Sequence, residues 1–380
     1  MMLGRKKYLV ATLGVLSYIS AANAADKPEI SGRHYGAFNI DTVTSYSDLD
    51  STTLDTQYNT VDTYVEFNSN YEIKFNGFFA VNTSWWFHNL KSAEAGKDRV
   101  LDDEGLVMEE LYARLYDDQA EFYIGKINPK FGKGWDLQLN TGMWGKEFAE
   151  EYKIVGKLGV GIKAKLDLEE YGEHVVDFNS FYTDTSDLND SILTRRDVTS
   201  GNMGKAGDND SLSSYSVNIA GKDMESIPSL FYNLSYRNVN SGGVQLIDDE
   251  EGYSAAVGVA KDLVGDLKFK PFIEYTKITD FNTVNNRFGF EFGDNDLPGD
   301  YKYLTLVFPF QYNDWSFNYV TMFKDISTST SSLDVDQEEV SISYKLPNGI
   351  TIGLGRKQEE YSTGVKYTTA GISIDFTNEF

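Results

Sequence analysis

The sequence predicts an all-β protein: a transmembrane antiparallel β-barrel of about sixteen strands, with one long loop folded into its lumen. Three observations lead there. The chain of 380 residues ends in an alternation, Ile372, Ile374, Phe376 and the terminal Phe380 being apolar at every second position apart from Asn378, with Ser373, Asp375 and Thr377 between them. That is the pattern of a half-buried strand, and nothing follows it to cover its apolar face. Beyond residue 24 no stretch approaches the ~18 consecutive apolar residues of a membrane-spanning helix, so only strands remain as spans. The N-terminus carries an export pattern. A strand with one face on hydrocarbon must still satisfy its edge hydrogen bonds, so the last strand pairs with the first and the sheet closes.

The export pattern consists of a basic segment (Arg5, Lys6, Lys7), an apolar run from Tyr8 to Ile19, and Ala22-Asn23-Ala24 as a small-residue cleavage site. Residues 1–24 are therefore expected to be a cleaved signal peptide and 25–380 the barrel, about 356 residues. The chain has no cysteine, which excludes thiolate metal sites and leaves stability to hydrogen-bonded closure. Mean hydropathy is -0.39, as expected when half of every strand faces water, and 25 Tyr, 24 Phe and 5 Trp supply interfacial girdles. The formal charge of -24 falls to about -27 without the three basic signal residues. Nucleic acid is thereby excluded as a partner. Acids cluster in segments read as loops, such as 102–104, 248–251 and 334–339, where they solvate a surface or share divalent cations with anionic lipid.

In chain order, strands are expected at 29–41, 59–67, 71–87, 106–116, 121–127 and about 157–166. Those after it are expected at 174–183, 213–221, 229–238, 252–261, 266–279, 300–312, 315–324, 338–346, 350–357 and 364–380. About seven short turns, near Ser69, Asp118, Tyr171, Met224, Val264, Asn313 and Asn348, alternate with about eight longer polar connections. That excess of one is what an even barrel with both termini on one side requires.

The ending Gly371-Ile-Ser-Ile-Asp-Phe376-Thr-Asn-Glu-Phe380 resembles the assembly signal of bacterial outer-membrane barrels, with Phe376 and Phe380 in its key positions. Phe122-Tyr-Ile-Gly125-Lys126, followed by Asn128-Pro-Lys-Phe-Gly132-Lys-Gly134, resembles the Gram-negative general diffusion porins, in which such a strand leads into a third loop that narrows the pore. The resemblance implies a constriction loop at 128–150, Lys126 at the constriction, a homotrimer, and outer-membrane lipid, lipopolysaccharide and the barrel-assembly machinery as partners. Alternation sends Lys126 outward with Phe122 and Ile124 unless a bulge intervenes or it lies at a rim.

A selective pore needs fixed charges facing a constriction. Inward parity selects Arg33, Lys74, Arg114, Lys163 and Lys165 on the early strands, expected to face Asp136, Glu147, Glu150 and Glu151 of the excursion. Alternatively these bases pair with wall neighbours such as Glu72 and Glu110. The implied function is passive diffusion of small hydrophilic solutes and ions with mild cation preference, which needs no cofactor. Two other readings stand beside it: an oligosaccharide channel using Trp135 and Trp144 as stacking platforms, and a non-conducting adhesive or structural barrel. An enzyme is disfavoured, because His34, His88 and His174 are isolated from any nucleophile motif or metal-ligand spacing.

Overall fold

A computed structural model describes residues 28–47, 58–90, 96–136, 142–193, 211–241, 248–263, 265–281 and 299–379. Sixteen strands form one antiparallel barrel. The first eight are β1 Glu29–Ser47, β2 Tyr58–Asn76, β3 Phe79–Asn89, β4 Glu104–Tyr116, β5 Ala120–Ile127, β6 Lys157–Asp167, β7 Glu173–Thr183 and β8 Ser214–Lys222. The second eight are β9 Leu230–Val239, β10 Glu250–Val259, β11 Phe272–Phe281, β12 Gly299–Tyr312, β13 Trp315–Thr328, β14 Ser332–Lys345, β15 Ile350–Tyr361 and β16 Val365–Glu379. Two short pieces, Lys261–Asp262 and Leu267–Phe269, prolong β10 and β11 toward their common turn. Each strand pairs with its sequence neighbours, and β16 closes the ring on β1 with Ile372 opposite Ile40 and Ile374 opposite Phe38.

The sheet is apolar on its outside. On β15 and β16, Ile352, Leu354, Ile372, Ile374 and Phe376 are exposed, while Lys357, Thr369 and Ser373 on the opposite parity are buried. Moving each such outward Leu, Ile or Phe side chain from water into hydrocarbon contributes about 1.5–3 kcal/mol, so the ring is stable only with lipid around it. Phe376 lies across Gly36 of β1, where a Cβ would collide with its ring, and approaches Phe67 with centroids 6.2 Å apart. The ring thus seals the β1–β16 seam on the outside. Phe380 and the expected signal peptide lie outside the described residues.

Two expectations are corrected. The first hairpin turn on this side is at Gly77–Phe78, not at 68–70, so 71–87 is not one strand but the end of β2 and most of β3. The polar Asn68-Ser-Asn70 remains in the ladder because its side chains find partners: Asn70 donates to Asn68 Oδ1 at 2.6 Å and Ser69 bonds His34. Asn76 instead accepts the Phe78 N–H, the side-chain-to-backbone bond that turns a chain. The connections at 329–331 and 362–364 are also tight turns rather than long loops. There Thr328 and Ser331 close on each other by backbone and hydroxyl bonds, so β13 and β14 run several residues further than alternation alone suggests.

Candidate functional site

The excursion 128–156 begins where β5 stops after eight residues. Gly125 adopts φ +143, and a Cβ there would strike the backbone of Leu111 and Tyr112, so only glycine fits. The distortion breaks the alternation: Ile124 points out, whereas Lys126 is turned in and only 1% exposed. Its ammonium bonds Asp184 Oδ2 at 2.6 Å and Leu188 O at 3.1 Å. Asp184 opens the segment after β7, which bonds to β4 through Ile192 N to Leu106 O and Leu106 N to Ser191 Oγ. Lys126 therefore pins the chain that replaces the missing upper part of β5 along β4.

Both ends of the excursion are tied by Asn128, whose N–H donates to Glu110 and whose Oδ1 accepts from Gly156. Between them the chain crosses the lumen and docks on the far wall. Phe131, Phe148, Ala149, Tyr152 and Ile154 pack on the inward faces of β11–β14, including Phe272, Tyr303, Val307, Val320 and Met322, in one buried cluster. Two wall carboxylates fix the backbone. Glu274 of β11 accepts from Lys133 N at 2.7 Å and from Gly134 N, and also from Ser254 and Tyr152. Glu339 of β14 accepts from Met143 N at 2.6 Å and Trp144 N at 2.9 Å. A Cβ at position 134 would lie 2.6 Å from the Glu274 carboxylate, which is what the Gly-Lys-Gly sequence avoids. Trp144 is buried, donating through Nε1 to Asp41 of β1.

The short helix α1, Glu147–Tyr152, is held at both ends by lysines of the far wall. Glu147 meets Lys357 at 2.5 Å, and Glu151 meets Lys324 at 2.8 Å and Tyr303 OH at 3.0 Å. Burial pushes the Glu147 carboxyl up to about 7; Lys357 pulls it down, and Glu359 and Asp41 raise it further. A carboxyl whose folded pKa lies above its unfolded one contributes stability fully below the unfolded value, and loses it as pH rises through about 7. Thermal unfolding in detergent should accordingly show the protein about 1–2 kcal/mol more stable at pH 5.5 than at pH 8 through this group. Glu147→Gln should lose that increment, and an unchanged pH difference in the variant would contradict the assignment.

The early-strand bases are engaged differently from expectation. Lys74 pairs with Glu72 at 3.1 Å, and Arg114 bridges Glu72 and Glu121, the latter at 3.3 Å. Lys163 also meets Glu121 at 3.5 Å, and Arg33 meets Glu379 at 3.3 Å. Lys165 is exposed. Apart from Arg33 on β1 and Glu379 on β16, these paired bases and acids lie along the inner wall of β2–β6, where an acid on the same or a nearby strand is closer than a loop docked on the opposite wall. Within the excursion, Asp136 pairs with Lys133 at 2.5 Å and Glu150 with Lys153 at 3.6 Å. Beside this wall a cavity of about 480 Å³ remains open, lined by Arg33, Asn70, Glu72, Asn82, Glu110 and Tyr112 among others. Most of the residues that line it are polar. The parity reading missed Glu274, Glu339 and Lys324, each an isolated charge in an inward row of a late strand, and Lys357, which shares its inward row with Glu359.

The three histidines are dispersed: His34 bonds Ser69, His88 stacks on Trp86 at 4.0 Å, and His174 bonds Tyr232 and Tyr171. Among the described residues no group of acidic or histidine side chains is arranged to hold a metal ion.

No family model and no curated protein sequence matches the chain. Solved structures match along nearly its whole length. Salmonella typhi OmpF, in complex with daunomycin, superposes with a TM-score of 0.53 at 12% identity, covering 91% of this chain and 97% of that one. OmpT, an outer membrane protein of Vibrio cholerae, in a form lacking loop L8, gives 0.51 at 10% identity, covering 93% and 100%. Identities this low carry the fold and no more.

Proposed function

We propose, from a chain that has the fold of the Gram-negative outer-membrane porins, that it is an outer-membrane channel through which small hydrophilic solutes and ions diffuse passively. One observation carries this reading: the excursion fills the β11–β14 side of the lumen with apolar packing yet leaves a polar cavity along β1–β4. An adhesive or structural barrel has no use for an internal loop clamped inside the lumen with open polar space beside it. The solute gradient drives transport, so neither a cofactor nor catalysis enters. A cleaved signal peptide, assembly through the C-terminal aromatics, a homotrimer, and contact of the acidic loops with lipopolysaccharide belong to the same reading. The sugar-channel alternative is weakened because Trp144 is buried under the wall and offers no open indole.

Purified protein in planar bilayers should show stepwise conductance, and liposomes containing it should swell in small sugars. A silent barrel in both assays would sink the channel and favour an adhesive role. The net charge of -24 raises cation concentration at the mouths, but charges farther than a Debye length of about 8–10 Å are screened at physiological salt. Cation preference should therefore be mild and grow on dilution. Neutralising Asp248 with Asp249 should reduce it only in dilute salt.

A further inference from the structure

Lys130 and Lys153 come from opposite legs of the excursion, yet both ammonium groups lie over one indole, 5.0 Å and 5.1 Å from the ring centroid of Trp135. That places the two cations within about 10 Å of each other, where their repulsion has to be offset by the ring and by whatever anion comes near. Trp135 is fixed, its Nε1 donating to Phe131 O at 3.1 Å and its ring packing against the buried cluster. Lys153 has a largely buried partner in Glu150 at 3.6 Å. Lys130 is exposed and makes no ion pair among the described residues. The adjoining stretch 137–141, Leu-Gln-Leu-Asn-Thr, contains no charged side chain that could supply one.

The nearby wall acids have other partners. Glu110 and Asp177 are within electrostatic reach of Lys130. Glu110 accepts the Asn128 N–H, and Asp177 accepts from Tyr123 OH and Asn179. Meanwhile Glu147 and Glu151 of the excursion are turned to Lys357 and Lys324 on the far wall. The neck of the excursion thus presents lysines toward the side where Glu110 lines the open cavity, in a chain that is strongly acidic overall.

We propose that Lys130, Lys153 and Trp135 form an oxyanion subsite inside the channel, which takes the carboxylate or phosphate group of a permeating small solute. The subsite rests on the channel reading for its use, and its occupancy can be tested without conduction. Charges a few ångströms from an ion act on it with little screening by salt, whereas mouth acids beyond a Debye length are screened. The channel should consequently draw cations at its mouths in dilute salt, and the lysines at its neck should hold that cation preference to a mild one once the mouths are screened.

In a potassium chloride gradient near ~0.15 M, Lys130→Gln with Lys153→Gln should shift the permeability ratio toward cations about two- to fourfold. Lys345→Gln, at a turn end of β14, should leave it nearly unchanged. Potassium phosphate or potassium lactate at constant ionic strength should reduce chloride current through the unmodified protein and not through the double variant. Reduction by one salt alone assigns the subsite to that oxyanion; an unshifted ratio, or equal reduction in the variant, overturns it. In detergent, the fluorescence lost in Trp135→Phe should be quenched more by iodide than by caesium, and Lys130→Gln with Lys153→Gln should remove the difference. Equal quenching by the two ions would overturn the subsite. A protein silent in bilayers but with iodide-biased quenching would keep the subsite and remove the channel.

Discussion

Lys126→Ala should be among the most destabilising single changes in the protein, costing about 3–5 kcal/mol. Asp184 is fully buried, and Lys126 is its ion-pair partner at 2.6 Å. Truncating the lysine leaves a carboxylate without that partner in a place water does not reach, so Asp184 must either take up a proton or pull its segment away. The second outcome would release 184–193 from β4, where Ile192 and Ser191 bond Leu106. That segment stands where β5 has already ended. Barrel closure itself runs through β1 and β16 and would persist. The expected result is a heat-modifiable barrel whose midpoint of thermal unfolding in detergent falls and whose segment 184–193 becomes cleavable by protease. Lys126→Ala with Asp184→Ala should recover most of the loss, because the pair is removed together. If the single variant unfolds like the unmodified protein, Lys126 is not the anchor described here.

Strand parity made much of this architecture legible. Residues 372–376 alternate as they do because one face meets lipid, and the count of sixteen follows from turns spaced one hairpin apart. Parity fails where a side chain rather than the backbone decides. Asn68-Ser-Asn70 looks like a turn until its hydroxyl and amide groups find partners in the ladder. Lys126 reads as outward until the φ of Gly125 reverses it. The docking wall of the excursion left a signal that periodicity misreads: Tyr301, Tyr303 and Val307 face in while Leu304 and Leu306 alternate with them, so β12 is apolar on both faces. A strand between lipid and water has no reason for a second apolar face. One between lipid and a buried loop does. Inward parity points Arg33, Lys74, Arg114, Lys163 and Lys165 of the early strands at the loop's acids, whereas the loop's length carries Glu147 and Glu151 to Lys357 and Lys324.

The position of that loop should depend most on the two carboxylates that hold its backbone. Glu274 and Glu339 each receive two consecutive amides, and the side chains are 1% exposed. In Glu339→Ala the N–H groups of Met143 and Trp144 lose their acceptor while still packed under the wall, at about 1–3 kcal/mol each. Trp144 retains its bond to Asp41, and α1 retains Lys357 and Lys324, so the single variant should loosen one end of the excursion. Glu274→Ala with Glu339→Ala removes acceptors for four amides, about 4–12 kcal/mol in all. Most of that range lies above the ~5.5 kcal/mol that turns a two-state equilibrium from almost wholly docked to almost wholly released. The barrel strands pair independently of these contacts, so the double variant should still run as a folded barrel on an unheated gel. Its single-channel current should become larger and noisier, and liposomes containing it should admit larger sugars. Glu338→Ala, one residue away but on the outward face, should do neither. Unchanged conductance and unchanged size limit in the double variant would show that apolar packing of Phe131, Phe148 and Tyr152 alone holds the excursion in place.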